Sequence, residues 1–112
     1  MIDQTMKDWL RAKAEELWPG KVERIILAGS RARGTNRPDS DWDVFVIGTK
    51  MRPMYRESPR DGPEDGPMRR HHKMVAPDGN AVEMFDIQPN DLARNDLRAI
   101  ADLNAFGVDL WP

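Results

Sequence analysis

Residues 29–43 read Gly-Ser-Arg-Ala-Arg-Gly-Thr-Asn-Arg-Pro-Asp-Ser-Asp-Trp-Asp, and this stretch decides the predicted fold. A run of β-branched and aliphatic residues precedes it at 22–28, and a second run occupies 43–47. Both runs are short and are bounded by glycine, proline or polar residues, which is typical of strands. The stretch is therefore predicted to leave one strand through a glycine-serine turn and to enter the next strand through a pair of aspartates.

The residues before this stretch predict a helix. Apolar side chains recur at three- and four-residue steps from Ile2 to Leu17, which is the stripe of an amphipathic helix. Either Asp3 or Thr5 can cap its N-terminus. The sequence Trp18-Pro19-Gly20 is expected to end it.

The residues after the stretch predict a hairpin and a second helix. Residues 71–76 and 81–88 flank the turn-forming sequence Pro77-Asp78-Gly79-Asn80, so they are expected to pair as strands. Pro89-Asn90-Asp91 provides a break and a cap, and the spacing of the leucines and Ile100 that follow predicts a final helix. This element order predicts an α/β fold in which helices flank a small mixed β-sheet.

Length and composition limit the class of protein. At 112 residues the chain is the size of one domain, which we expect to span residues 1–112. Prolines and glycines crowd residues 49–67, which are expected to form an exposed loop. The formal net charge of −2 argues against binding nucleic acid by bulk electrostatics alone, so nucleic acid is a possible but not a favoured partner. The sequence has no cysteine, no secretion signal and no apolar run of roughly 20 residues, which predicts a soluble, cytoplasmic protein without a membrane partner.

Asp41 and Asp43 are the candidate metal ligands. They are two positions apart at the start of a strand, so both side chains are expected on the same face of the sheet. Two neighbouring carboxylates repel each other, and a divalent cation compensates for that repulsion. Mg²⁺ prefers a few carboxylates together with waters and substrate phosphates, and the Gly29-Ser30 turn offers backbone N–H groups and a hydroxyl to phosphates. An isolated Asp-x-Asp is usually a solvated turn, but this combination favours a nucleotide site.

The two motifs together resemble a known family. Gly29-Ser30, a ten-residue spacer and Asp41-Trp42-Asp43 are similar to the glycine-serine and Asp-x-Asp motifs of the DNA polymerase β-like nucleotidyltransferase superfamily. The fuller string, from Gly-Ser-Arg-Ala-Arg-Gly to Ser-Asp-Trp-Asp, resembles its minimal nucleotidyltransferase branch. The resemblance implies that Ser30 helps to hold a triphosphate, that Asp41 and Asp43 bind Mg²⁺, and that a third carboxylate on a later strand completes the site.

Asp86 is the predicted third carboxylate and metal ligand. It lies in the apolar sequence Met84-Phe85-Asp86-Ile87 ahead of a predicted helix, where the resemblance implies an acid. The rival is Glu83, and because the two residues are three apart on a strand they face opposite sides of the sheet, so only one is expected at the metals. In related enzymes this acid takes the proton of the acceptor hydroxyl.

Basic residues give two further expectations. Arg31 and Arg33, together with Ser40, are candidate nucleotide-binding residues, because guanidinium groups add fixed positive charge for a triphosphate. Surface solubility is the alternative role of the two arginines. The basic run at 69–73, which includes both histidines of the chain, either binds RNA, a phosphate or an acidic partner, or is a solvated edge strand guarded by charge, which we favour.

The resemblance leads us to expect a Mg²⁺-dependent nucleotidyltransferase that moves AMP from ATP onto an acceptor hydroxyl. A protein acceptor such as a HEPN-type toxin is favoured, for which this chain would be the antitoxin. The alternatives are a small-molecule acceptor, as in aminoglycoside nucleotidyltransferases, and a non-catalytic module of the same fold that binds a partner. A small molecule would need binding walls beyond those that residues 89–112 supply, and a homo-oligomer is a possible source of them.

Overall fold

The computed structural model describes residues 2–52 and 71–111, in which helices lie on both faces of a five-stranded sheet. The elements in chain order are α1 (Gln4–Leu17), β1 (Arg24–Ala28), α2 (Gly29–Arg33), β2 (Trp42–Ile47), β3 (His71–Val75), β4 (Ala81–Ile87), a 3-10 helix (Pro89–Ala93), α3 (Arg98–Phe106) and β5 (Val108–Asp109). The strand order is β3-β4-β2-β1-β5, in which β2 and β4 are parallel and the other neighbours are antiparallel. The predicted α/β fold with a small mixed sheet is confirmed.

Helix α1 covers one face of the sheet. Met6, Leu10 and Ala14 form its buried stripe, as the three- and four-residue spacing predicted. The stripe packs against alternate residues of the strands: Ile25, Leu27, Trp42, Val44, Val46, Val82 and Met84. Asp3 is the N-cap, since its carboxylate accepts a hydrogen bond from the Met6 N–H at 2.8 Å.

Helix α3 covers the opposite face. Ile100 and Leu103 are buried against the intervening strand residues Ile26, Ala28, Phe45, Ile47, Phe85 and Ile87. The rings of Phe45 and Phe85 stack across β2 and β4 with their centroids 4.9 Å apart. Side chains alternate along a strand, so residues two positions apart face the same side of the sheet. A strand residue therefore faces α1 or α3 according to the cluster to which the residues two positions away belong.

The C-terminal region departs from the predicted single helix. The 3-10 helix Pro89–Ala93 starts with a capping box between Gln88 and Asp91, and α3 begins only at Arg98. The chain then forms β5, which was not predicted and which pairs with Ile26 and Leu27 of β1. A two-residue strand with both side chains exposed carries no periodic signal in the sequence.

The predicted loop at residues 49–67 is described only at 49–52. Met51 is 4% exposed and joins the α1-side cluster, so the expectation of an exposed loop is wrong at this position. Residues 53–67 lie outside the described residues, as do Arg69 and Arg70 of the basic run. None of the helices in the described part of the chain has the length and apolar character that crossing a bilayer requires.

Candidate active site

The turn that follows β1 brings the backbone against Asp43. Gly29 has φ +70°, a conformation that residues with a side chain rarely adopt. A Cβ atom at this position would lie 2.6 Å from Oδ2 of Asp43, which is closer than two such atoms can approach. The antiparallel register of β1 and β2 sets Ala28 opposite Asp43 and so fixes this approach. The left-handed turn therefore favours glycine, and any other residue here would also have to displace the Asp43 carboxylate.

Three of the four carboxylates that line one pocket on the α3 side of the sheet, those of Asp41, Asp43 and Glu83, lie at β2 and β4. Asp41 lies just before β2 and is exposed, whereas Asp43 in β2 is half-buried, and both line the pocket as their alternation predicted. Glu83 is directly opposite Asp43 in the parallel pair of β2 and β4. The pocket has a volume of about 320 Å³, and its other lining residues are Ala28, Gly29, Phe45, Phe85, Ala99 and Asp102.

The structure does not bring Asp86 to this pocket. Asp86 is opposite Val46 of β2, and Val46 belongs to the cluster under α1, on the other face of the sheet. The Asp86 carboxylate is 2% exposed and forms an ion pair with Arg52, with Nε and Oδ2 3.4 Å apart. The choice of Asp86 over Glu83 is therefore wrong, because the strand register sets Glu83 beside Asp43.

The acids of the pocket are electrostatically coupled. Burial is the largest cause that raises the pKa of Asp43; the charges of Glu83 and Asp41 raise it further, and Arg33 acts in the opposite direction. A second cationic side chain, Lys73, has its Nζ 3.6 Å from Oε1 of Glu83. Arg33 offsets only part of the effect of the two acids on Asp43, and a divalent cation would offset the rest. Within residues 2–52 and 71–111, no three histidine or acidic side chains converge into a complete metal site. Hard oxygen donors that are too few to enclose an ion fit Mg²⁺, which keeps waters and takes substrate phosphates as ligands.

Of the predicted nucleotide-binding residues, Gly29 lines the acid pocket, whereas Ser30, Arg31, Arg33 and Ser40 do not. The Arg31 guanidinium donates to the backbone carbonyls of Pro38 and Ser40 and lies over the Trp42 ring. The Ser40 hydroxyl accepts a hydrogen bond from the Arg37 N–H at 2.8 Å. Both residues shape the loop that leads to Asp41. Sequence reasoning missed this role because it depends on where the loop folds back.

Arg33 lies beside the acid pocket, because it is bonded to Asp102, which lines that pocket. Its Nη1 donates to Oδ2 of Asp102 at 2.8 Å. With Arg98 and Ala99, these two residues line a second cavity of about 640 Å³, which shares Ala99 and Asp102 with the acid pocket. Arg98 and Asp102 were not predicted. Their i,i+4 spacing on one helix face is a usable signal, but it is not part of the apolar spacing from which the helix was predicted.

Comparison with known proteins identifies a domain family. The family described as "Nucleotidyltransferase domain" matches residues 7–100, which include Gly29, Asp41, Asp43 and Glu83. The chain is also 29% identical over 107 residues to the Carboxypeptidase Y homolog A of Talaromyces marneffei. That match covers 89% of this chain but 16% of the fungal protein, so the chain spans only a small part of that relative. A likeness of this extent carries no activity over to this chain.

Proposed function

The chain belongs to the nucleotidyltransferase domain family, and on this premise we propose that Asp41, Asp43 and Glu83 form a Mg²⁺-dependent site that moves AMP from ATP onto an acceptor hydroxyl. Nucleotidyl transfer from a nucleoside triphosphate is the activity of this family. The identities of the metal ion, of the nucleobase and of the acceptor are the parts that we propose. The observation that carries them is that Asp41, Asp43 and Glu83 line the same pocket beside Gly29.

Asp41 and Asp43 would hold Mg²⁺ together with waters and triphosphate oxygens. The bound ion supplies charge neutralisation for the reacting phosphate. The ion would stabilise the ionised form of Asp43 most, because burial and two acidic neighbours already raise the pKa of its carboxyl group. Its contact with Gly29 keeps the turn that meets the triphosphate next to the metal ligands.

Glu83 is the candidate general base. Its position opposite Asp43 allows it to take the proton of an acceptor hydroxyl that enters the pocket. The hydroxyl oxygen then forms a bond to the α-phosphorus, the bond from that phosphorus to the bridging oxygen of the β-phosphate breaks, and pyrophosphate leaves. Glu83 thus takes over the role that the sequence alone assigned to Asp86.

Ser30 and Arg33 are the candidate triphosphate contacts. Ser30 is half-buried in α2 and directly follows Gly29, which lines the acid pocket. Arg33 lies where the acid pocket and the wider cavity meet, and it can exchange Asp102 for a phosphate.

We favour a hydroxyl on a protein as the acceptor. Asp41 is exposed at the edge of the pocket, so an acceptor carried on the surface of a partner can reach the acids without entering the core. The resemblance to minimal nucleotidyltransferases supports a HEPN-type toxin as that partner, with this chain as its antitoxin.

Labelling with ATP tests the proposed transfer. The purified chain, Mg²⁺ and ATP labelled at the α-phosphate are incubated with the product of any neighbouring HEPN-type gene, with a cell extract, or with an aminoglycoside. We expect an EDTA-sensitive label on a protein that survives denaturation, lost in Asp41→Ala and Asp43→Ala. Label on the aminoglycoside would instead identify a small-molecule acceptor. Partner binding that is unchanged in both variants, with no label from the parent, would identify a non-catalytic module.

Asp102 is expected to compete with the triphosphate for Arg33. Arg33→Ala should raise the KM for ATP about tenfold or more, since a charge-assisted hydrogen bond is worth about 1.5–3 kcal/mol. Asp102→Asn should lower the KM, because it frees the guanidinium and removes a negative charge near the phosphates. Steady-state kinetics at saturating Mg²⁺ measure both effects.

A matched control is the exposed pair of Arg24 and Asp109, which joins β1 to β5 away from the acids. Asp109→Asn should leave the KM unchanged. If the two residues act as a pair, Asp102→Asn should lower the KM for ATP much less in an Arg33→Ala background than in the parent. A KM that rises in Asp102→Asn would mean that Asp102 helps to bind the nucleotide.

A further inference from the structure

The loop that carries Asp41 has to be held in place from outside the strands. Residues 34–41 join α2 to β2, and apart from Ser40 all of them are exposed. Asp43 is fixed by strand pairing, but Asp41 precedes the first residue of β2. The distance between the two carboxylates therefore depends on contacts that the loop makes with the rest of the molecule.

Arg31 makes the first of these contacts. Its Nε and Nη2 donate to the Ser40 carbonyl at 3.0 and 2.8 Å, and Nη2 also donates to the Pro38 carbonyl at 3.3 Å. The guanidinium carbon lies 3.9 Å from the centroid of the Trp42 ring. Arg31 thus binds the residue before Asp41 and stacks on the residue after it.

The turn between β3 and β4 makes the second set of contacts. The Trp42 indole N–H donates to Oδ2 of Asp78 at 2.9 Å, and Nδ2 of Asn80 donates to the Pro38 carbonyl at 2.7 Å. Asn80 also donates to Asp78 through its backbone N–H at 2.9 Å and through its side chain at 3.2 Å. These contacts bridge 36 and 42 residues of sequence, so they tie the motif loop to a distant part of the chain.

Asp78 accepts the hydrogen bonds from Trp42 and Asn80 as a carboxylate. Burial acts to raise its pKa, but the hydrogen bonds from Asn80 and Trp42 and the charge of Arg31 outweigh burial and lower it. Neither Asp78 nor Asn80 lines the acid pocket. They contact Trp42 and Pro38, which lie one and three positions from Asp41 along the chain, and Trp42 faces α1.

We propose that Asp78 and Asn80 are positioning residues, which hold Asp41 at the distance from Asp43 that a shared divalent cation requires. This assignment rests on the proposed function, because it takes Asp41 and Asp43 as the metal ligands. Groups that orient metal ligands from behind typically change metal affinity or activity by about 10–100-fold when they are removed. The β3–β4 turn would therefore set the metal requirement of the enzyme although it does not touch the reacting groups.

The test compares Asp78→Asn and Asn80→Ala with two matched surface changes, Asp8→Asn and Asn90→Ala. Binding of Mn²⁺, with and without a non-hydrolysable ATP analogue, is followed by electron paramagnetic resonance on the full chain. We expect about tenfold weaker Mn²⁺ binding in the turn variants than in the controls. Transfer at limiting Mg²⁺ should fall by a similar factor and return toward the parent rate at saturating Mg²⁺.

Trp42→Phe provides a second route if a turn variant does not fold. It removes the N–H that Asp78 accepts and keeps a ring beneath Arg31, so it should weaken Mn²⁺ binding in the same direction. A turn variant whose Mn²⁺ affinity equals that of the controls would overturn the positioning role. The positioning role would also be overturned if the loss of transfer tracked only a lower melting temperature and saturating Mg²⁺ did not restore the rate.

The two proposals fail in different ways. A parent chain that binds Mn²⁺ and transfers no nucleotide, while the turn variants bind Mn²⁺ more weakly, contradicts the proposed transfer and supports the positioning role. A parent chain that transfers nucleotide, with unchanged Mn²⁺ affinity in the turn variants, overturns the positioning role alone.

Discussion

Asp43→Asn is expected to abolish nucleotidyl transfer and, at neutral pH, to raise the melting temperature of the metal-free protein. Transfer should fall by more than about 100-fold, the upper end of what loss of an outer-shell partner costs, because Asp43 is a proposed direct ligand. The stability gain follows from the raised pKa of Asp43, whose causes are burial first and then the charges of Glu83 and Asp41. A carboxyl group of this kind stabilises the fold while it is protonated.

The pH dependence of the stability gain has a definite sign. Because the folded pKa lies above the unfolded one, the contribution of Asp43 to stability is full below the unfolded pKa and is lost as pH rises through the folded pKa. The melting temperatures of Asp43→Asn and the parent should therefore be close in acid and should separate as pH rises past the usual range of aspartate.

Thermal melts at several pH values measure this separation, with Asp8→Asn as the exposed control. Adding Mg²⁺ and a non-hydrolysable ATP analogue should narrow the gap, since ligands stabilise the parent by mass action. A variant that melts below the parent at neutral pH would show that the contacts of Asp43 outweigh the repulsion around it.

Glu83→Gln and Asp86→Asn are expected to have opposite effects. Glu83→Gln should lower kcat by about 10²–10⁴-fold, the usual contribution of a general base, and leave the fold intact. Asp86→Asn should leave kcat within a few-fold of the parent and lower the free energy of unfolding by about 1–3 kcal/mol, because a buried carboxylate loses its charge-assisted bonds to Arg52. The exposed half of Arg52 can be rehydrated, which keeps this loss moderate.

Urea denaturation and single-turnover labelling, at a temperature where both variants are folded, separate the two effects. Arg52→Met serves as the companion of Asp86→Asn, since it breaks the same ion pair from the other partner. Loss of transfer in a fully folded Asp86→Asn, with transfer retained in Glu83→Gln, would reverse the assignment of the third acid.

The two central strands and the motif between them could be predicted because their signals are local. Gly29 requires a left-handed turn, and Asp41 and Asp43 share a face through simple alternation. The third acid could not be predicted in this way. Glu83 and Asp86 both sit between apolar residues of one strand, and the sequence separates them only through the register with β2, which depends on residues about 40 positions away.

Arg31 illustrates a second limit of sequence reasoning. An arginine beside a glycine-serine turn is a reasonable phosphate ligand by charge, yet the loop folds back so that carbonyl oxygens and the Trp42 ring occupy its guanidinium. The break before α3 contains a similar polar contact, since Arg94 donates two hydrogen bonds to Asp96 between the 3-10 helix and α3, which leucine spacing does not reveal. In both cases the decisive contact is made by polar groups, whose partners a hydrophobic pattern does not specify.

The tripeptide Asp41-Trp42-Asp43 divides its duties between the two sides of the sheet. Its acids face α3, while its indole ring stacks under Arg31 and donates a hydrogen bond to Asp78 on the α1 side. Directed evolution could exploit this separation. Libraries at Arg98, Ala99 and Asp102 would vary the lining of the wider cavity and leave the contacts of Trp42 with Arg31 and Asp78 unchanged. Changes on the two sides share few partners, so their effects should combine nearly additively. A new substrate preference could thus be selected while the two proposed metal ligands keep their positions.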